Sequence, residues 1–287
     1  MGTSTGFGGA GGGTPLIPSW LPSGGGTPGG PPSPPPGGPP PGDGNPPPDR
    51  SPIRPPRDTE RFRGARNDFT RFAGSGGTDN RALGRAVRNY VGTVYGGAGT
   101  AARRMGPSQA VGAGLLRFMA DARATTTREA LRSLNFTQLS DQSLESTFIQ
   151  LADVLCPPSG TIDEGIARDA FIEMIAEVVE KGITDLDKLT PDQMQTILAT
   201  FIAKSIEGRL CNDIGTKAVT YPDDVRAAEN VQRQLHDFIL NGVEDALNSA
   251  AALLQNVNID RVNSLIEKLY VDAFTVLQSL GEEASHS

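Results

Sequence analysis

Two histidines, two cysteines and a scatter of carboxylates are the groups in these 287 residues that could do chemistry. Catalysis needs such groups convergent and at working distance. His236 stands beside Asp237 in an apolar-periodic stretch, and His286 lies in the C-terminal tail. Neither has a second His at ligand spacing, so no metal motif is present. A Ser-His-Asp set could be drawn from distant positions, but nothing selects the Ser. Cys156 precedes Pro157-Pro158 and Cys211 follows an apolar run. Neither has metal spacing, and both read as packing residues in a reduced, cytoplasmic protein. The acid pairs Asp163-Glu164 and Asp223-Asp224 open periodic stretches, where the helix dipole favours them, and Glu282-Glu283 falls in the C-terminal tail. Gly96-Gly97-Ala98-Gly99-Thr100 lacks the Lys of a phosphate loop and follows no strand. These residues argue against an enzyme and supply no catalytic residue, resident metal or cofactor.

The chain divides by composition. Residues 1–57 hold 16 Gly and 18 Pro and are expected to form a long disordered tail. The tail begins with a slim uncharged thread, Gly2 to Gly13, and then carries an apolar island over 15–22 with the protein's only Trp. Neither part can fold alone, because the glycines cost backbone entropy and the island is too small for a core. The thread is thin enough for a narrow channel. The island, framed by Pro15, Pro18 and Pro22, is pre-extended and loses little entropy on docking. From Gly24 to Pro56 the Pro blocks form a spacer that gives reach, about 3.1 Å per residue where polyproline forms. A proline-motif ligand lacks a clear basic anchor here. Gly2 raises N-myristoylation, but Gly6 stands where that pattern wants Ser or Thr. No signal peptide and no run of about 18 apolar residues is present, so no membrane partner is expected.

The net charge of −7 hides a split: +1 over residues 1–57, +7 over 58–132 and −15 over 133–287. Such asymmetry implies different partners for the two parts or their docking on one another. In the Arg-rich segment 58–132, Arg61, Phe62, Arg63, Arg66, Phe69, Arg71 and Phe72 interleave guanidinium and aromatic groups. That pattern suits nucleic acid through phosphate contact and stacking. The simpler reading is favoured: Phe62, Phe69 and Phe72 share one helical face with the arginines solvated around it.

Helical signals fill the rest. Leu83, Val87, Tyr90, Val91 and Val94 predict a helix over 80–95 that Gly96-Gly97 stops, and a second runs over 108–123. There Gly112 and Gly114 would let helices approach closely. In the acidic domain 133–287, capping boxes open helices at Thr161 and Thr190, after a first box at Thr126. Ser140 is read as a cap for a helix that Pro157-Pro158 ends, and Gly182 as a C-terminal stop. Pro222-Asp223 opens a long helix in which Gly242 is a kink candidate, and the last helix runs from near Asp260 to a stop at Gly281. No strand alternation competes, so the fold class is all-α: a helical bundle or array behind a long Gly/Pro-rich tail.

A slim Gly-started thread (Gly2, Thr3, Ser4, then Phe7, Gly8, Gly9), an apolar island (Pro15, Leu16, Ile17, Pro18, Trp20, Leu21), a spacer and an acidic helical body together resemble the B component of the Qat antiphage defence systems. The specific likeness covers about 21 residues at the N-terminus; the rest is compositional. The resemblance implies a substrate rather than a catalyst. Its partners would be a QueC-like enzyme, an ATPase and a TatD-like nuclease, and the QueC-like enzyme would join a 7-deazaguanine group to the amine of Gly2. An α-amine titrates near pH 8 and is partly neutral at cellular pH, unlike Lys. By this resemblance Thr3 to Gly13 would thread the enzyme's channel, and Leu16, Ile17, Trp20 and Leu21 would anchor outside it. A nucleic-acid-binding adaptor and a structural scaffold with a passive tail are the competing readings.

Overall fold

In a computed structural model of the chain, the described residues are 58–136, 144–157, 160–215, 222–255 and 257–286. Their helices are α1 (Asp58–Arg61), α2 (Arg63–Gly74), α3 (Asn80–Arg88), α4 (Ala98–Arg103), α5 (Gly106–Ala124) and α6 (Thr127–Ser133). Then come α7 (Leu144–Leu155), α8 (Ile162–Glu180), α9 (Pro191–Ile214), α10 (Val225–Ser249), α11 (Ala251–Gln255) and α12 (Val262–His286). A π-helical turn, Asn89–Val94, follows α3, and short 3₁₀ turns precede α9 and α12. Every regular element among the described residues is helical, as the periodicity predicts. The tail and the Ser140 cap lie outside the described residues.

Local chemistry sets the helix starts. The hydroxyls of Thr126, Thr161 and Thr190 accept from the amides of Glu129, Glu164 and Gln193, and at Thr190 the Gln193 side chain returns the bond, closing the box. The opening of α10 shifts by two residues, with the Asp224 carboxylate as its cap. Gly182 takes a left-handed φ of 78° just past α8, as a stop requires.

Two expectations need correction. The predicted helix over 80–95 changes winding at Asn89 and finishes as a π turn. Gly281 does not end the last helix, which continues through Glu282 and Glu283 to His286. Gly281 is instead where α12 crosses α3: a Cβ there would lie 2.6 Å from the Gly84 carbonyl oxygen, and one on Gly84 would lie 2.6 Å from Ala284 Cβ. Gly242 likewise makes room for a neighbour, since a Cβ there would stand 2.7 Å from Leu277 Cδ2.

The core is continuous from Phe62 to Leu277. Its middle is a row of edge-to-face rings contributed by four helices. Phe118 of α5, Phe148 of α7, Phe171 of α8 and Phe201 of α9 stand 6.4, 6.1 and 6.1 Å apart in sequence. α12 packs against α3, α4, α5 and α10. Its Tyr270 is fully buried and shares a 2.8 Å hydrogen bond with Ser205 of α9. The Arg-rich and acidic stretches are thus docked on one another.

Two glycine substitutions test this packing. Gly84→Ala forces a Cβ into Ala284 and the Gly281 carbonyl and should cost about 1–3 kcal/mol. Gly165→Ala, in a helix with open space around the new Cβ, should add about 0.5–1 kcal/mol. Urea midpoints read both; an unharmed Gly84→Ala variant would refute the crossing.

Candidate functional site

The residues assigned to the tail site, Gly2, Thr3, Ser4, Phe7, Gly8, Gly9, Pro15, Leu16, Ile17, Pro18, Trp20 and Leu21, lie outside the described residues. In the body, two clusters of ionisable side chains each join at least three elements.

The first cluster joins the Arg-rich helices to the C-terminal end of α9. The Asp213 carboxylate accepts from Tyr90 (2.9 Å), from Arg209 Nε (3.1 Å) and from Tyr95. Arg66 Nε donates to the Ile214 carbonyl at 2.8 Å, and Arg209 pairs with Asp163 of α8. The π turn explains how two tyrosines five residues apart reach one carboxylate. An i→i+5 winding brings such residues to nearly the same side, which an α-helix does not. Burial, reinforced by the Asp213 charge, pushes the Tyr90 hydroxyl well above its usual range. Burial also raises Tyr95, with its hydrogen bond to Asp213 as the next cause. Both phenols therefore stay protonated donors, and the cluster acts as a brace.

The second cluster spans α8, α9 and α10. The His236 imidazole sits between two carboxylates, with Nδ1 2.8 Å from Glu207 and Nε2 3.3 Å from Glu177. Lys181 (2.9 Å) and Lys204 (3.4 Å) also reach Glu177. The carboxylates of Glu177 and then Glu207 raise His236 to about 9, against the opposing effect of burial. The same pairing, with Lys181, lowers Glu177 to about 2. An imidazolium clamped this way is charged at neutral pH and is no general base. The reading of His236 from sequence placed it beside Asp237; the structure gives it partners from two other helices.

Burial pushes the thiols of Cys156 and Cys211 up to about 12. At neutral pH neither is a nucleophile. Among the described residues, no group of His, Cys, Asp or Glu is placed to hold a metal ion, and no helix is long and apolar enough to cross a membrane. The interleaved aromatics are also accounted for. Phe62, Phe69 and Phe72 are at most 7% exposed, so their faces are not open to bases. Arg61 and Arg66 lie over the Phe62 ring at 5.1 and 5.4 Å.

The described body is thus an all-helical protein whose ionisable clusters tie helices together and leave the described thiols protonated. A family model described as Qat anti-phage system associated protein QatB matches residues 96–277, more than half of the chain, and the chain belongs to that family. Membership makes it a component of the Qat anti-phage system. No curated protein and no solved structure matches the chain.

Two measurements test the clusters. The His236 pKa is raised on folding. Its contribution is therefore full below the unfolded value of 6.5 and is lost as pH rises through about 9. Glu177 is lowered, so its share is full above 4.5 and lost as pH falls towards about 2. Urea unfolding should show stability declining between pH 6.5 and 9 by on the order of 3 kcal/mol. In His236→Asn that slope should vanish; a slope that persists would sink the clamp. Iodoacetamide at pH 8 should label Cys156 and Cys211 slowly in the native protein and fully in urea. Rapid native labelling would contradict the raised values.

Proposed function

We propose that this chain is the protein substrate of its defence system. Its helical body binds partner proteins, and its tail presents the amine of Gly2, freed by removal of Met1, to a QueC-like enzyme that attaches a 7-deazaguanine-type group. The single observation that carries the reading is the N-terminal sequence on a chain of the QatB family: an unhindered glycine, a thread of small residues and a Trp-bearing island ahead of a Gly/Pro spacer. The amine of Gly2 is the acceptor. Thr3, Ser4, Phe7, Gly8 and Gly9 occupy the enzyme's channel, and Leu16, Ile17, Trp20 and Leu21 anchor the tail at its mouth. ATP and the deazaguanine precursor bind the partner, so this chain needs no cofactor. The system's ATPase and TatD-like nuclease are further partners. The clamped imidazole and the protonated thiols of the body support a presenting role over a catalytic one.

Intact-mass spectrometry of the protein, expressed with and without its neighbouring genes, tests the proposal. A mass increase that maps to Gly2 and appears only with the neighbours is expected. Gly2→Ala should abolish it and Trp20→Ala should weaken it, both with an unchanged helical circular dichroism signal. Full modification of both variants, or an unmodified Gly2 in an active complete system, would refute the tail assignment.

A further inference from the structure

A groove of about 420 Å³ runs between α8 and α9. Its α8 wall presents Ile162, Ile166, Asp169 and Glu173, one helical face by spacing, and its α9 wall includes Cys211 and Asn212. Ile162 is 67% exposed at one end, an open apolar side chain on a helix start. The charge is unbalanced. Lys204 is shared between Glu173 (3.6 Å) and Glu177 (3.4 Å), while Asp169 makes no ion pair among the described residues.

The chain enters the body at the C-terminal end of α9, the helix that forms one wall of this groove. α1 begins at Asp58. The Arg61 guanidinium lies 5.9 Å from the centre of the Tyr95 ring, the Tyr95 hydroxyl is on Asp213, and Arg66 holds the Ile214 carbonyl. These contacts fix the first helices at the C-terminal end of α9, within three residues of Cys211 and Asn212 in the chain. Immediately before α1 stands Arg54-Pro55-Pro56-Arg57, a cationic proline segment outside the described residues.

We propose that residues 54–57 of the same chain dock in this groove, with Arg54 and Arg57 on Asp169 and Glu173 and the prolines against Ile162 and Ile166. Polyproline repeats every three residues at about 3.1 Å each, so arginines three apart project from one side about 9 Å apart. Asp169 and Glu173 stand about 6 Å apart along α8, and long arginine side chains span the difference. The prolines lower the entropy lost on docking, and two guanidiniums offset the acidic excess. The inference stands whether or not Gly2 is modified.

The test uses the full chain carrying Arg54→Lys and Arg57→Lys, which keeps the charge and adds amines. A water-soluble carbodiimide joins an adjacent amine and carboxylate as an amide and takes up the lost water as its urea. The expected product is a monomer in which peptide mapping links position 54 or 57 to Asp169 or Glu173. The link should fade in ~1 M salt, where the screening length falls to about 3 Å. It should also be lost in Asp169→Asn/Glu173→Gln, with the helical signal unchanged. Links scattered over other acids would overturn the proposal, as would links found only between two chains, which would assign the groove to a second copy. A charge exchange supplies an independent arm. Arg54→Glu/Arg57→Glu combined with Asp169→Lys/Glu173→Lys should restore a link between the same positions, and failure to restore it counts against the pairing.

Discussion

Bare backbone is what lets the last helix sit at the centre of this fold. Ordinary helix pairs are held apart by the side chains that interleave between them. Here α12 meets Gly84 of α3 and Gly242 of α10, and it contributes Gly281 of its own to the α3 crossing. At each point the atom that a Cβ would strike belongs to the neighbouring helix. The cost is the weak helix propensity of glycine, which these helices offset through burial. Remove the close approach and Tyr270, Phe274 and Leu277 lose the walls that bury them.

The sequence reveals some of this and conceals the rest for definable reasons. Helix identity and starts are local properties. The Thr caps at 126, 161 and 190 and the apolar spacing can be seen within a window of a few residues. The role of a glycine is not local. Gly182, Gly242 and Gly281 look alike in sequence, yet one ends a helix by its left-handed backbone and two are crossing points, because only the partner helix decides. The π turn after Arg88 is hidden for the same reason, since its benefit is a carboxylate more than a hundred residues away. His236 shows the limit for sites. Its neighbour Asp237 is visible in sequence, but the partners that set its charge come from α8 and α9. The tail lies outside the described residues, and the chemistry proposed for it rests on residue type and order alone.

The charge split has a structural use. The positive N-terminal helices and the negative later ones are not separate surfaces with separate counterions. They meet at the Asp213 cluster, where arginines from α2 and α9 and tyrosines from the π turn converge on the end of α9. A partly buried junction of this kind favours one arrangement of helices because a displaced member leaves a charge or hydroxyl unsatisfied.

The pairing of α3 with α12 has a consequence in the timing of synthesis. The two helices lie at opposite ends of the described body, so the contact has very high sequence separation. A ribosome makes the chain from its N-terminus at roughly 5–20 residues per second, and α3 must wait for almost the whole remaining chain before its glycine face is covered. The order of events is fixed by connectivity: α3 is made early, and the crossing that covers it closes last.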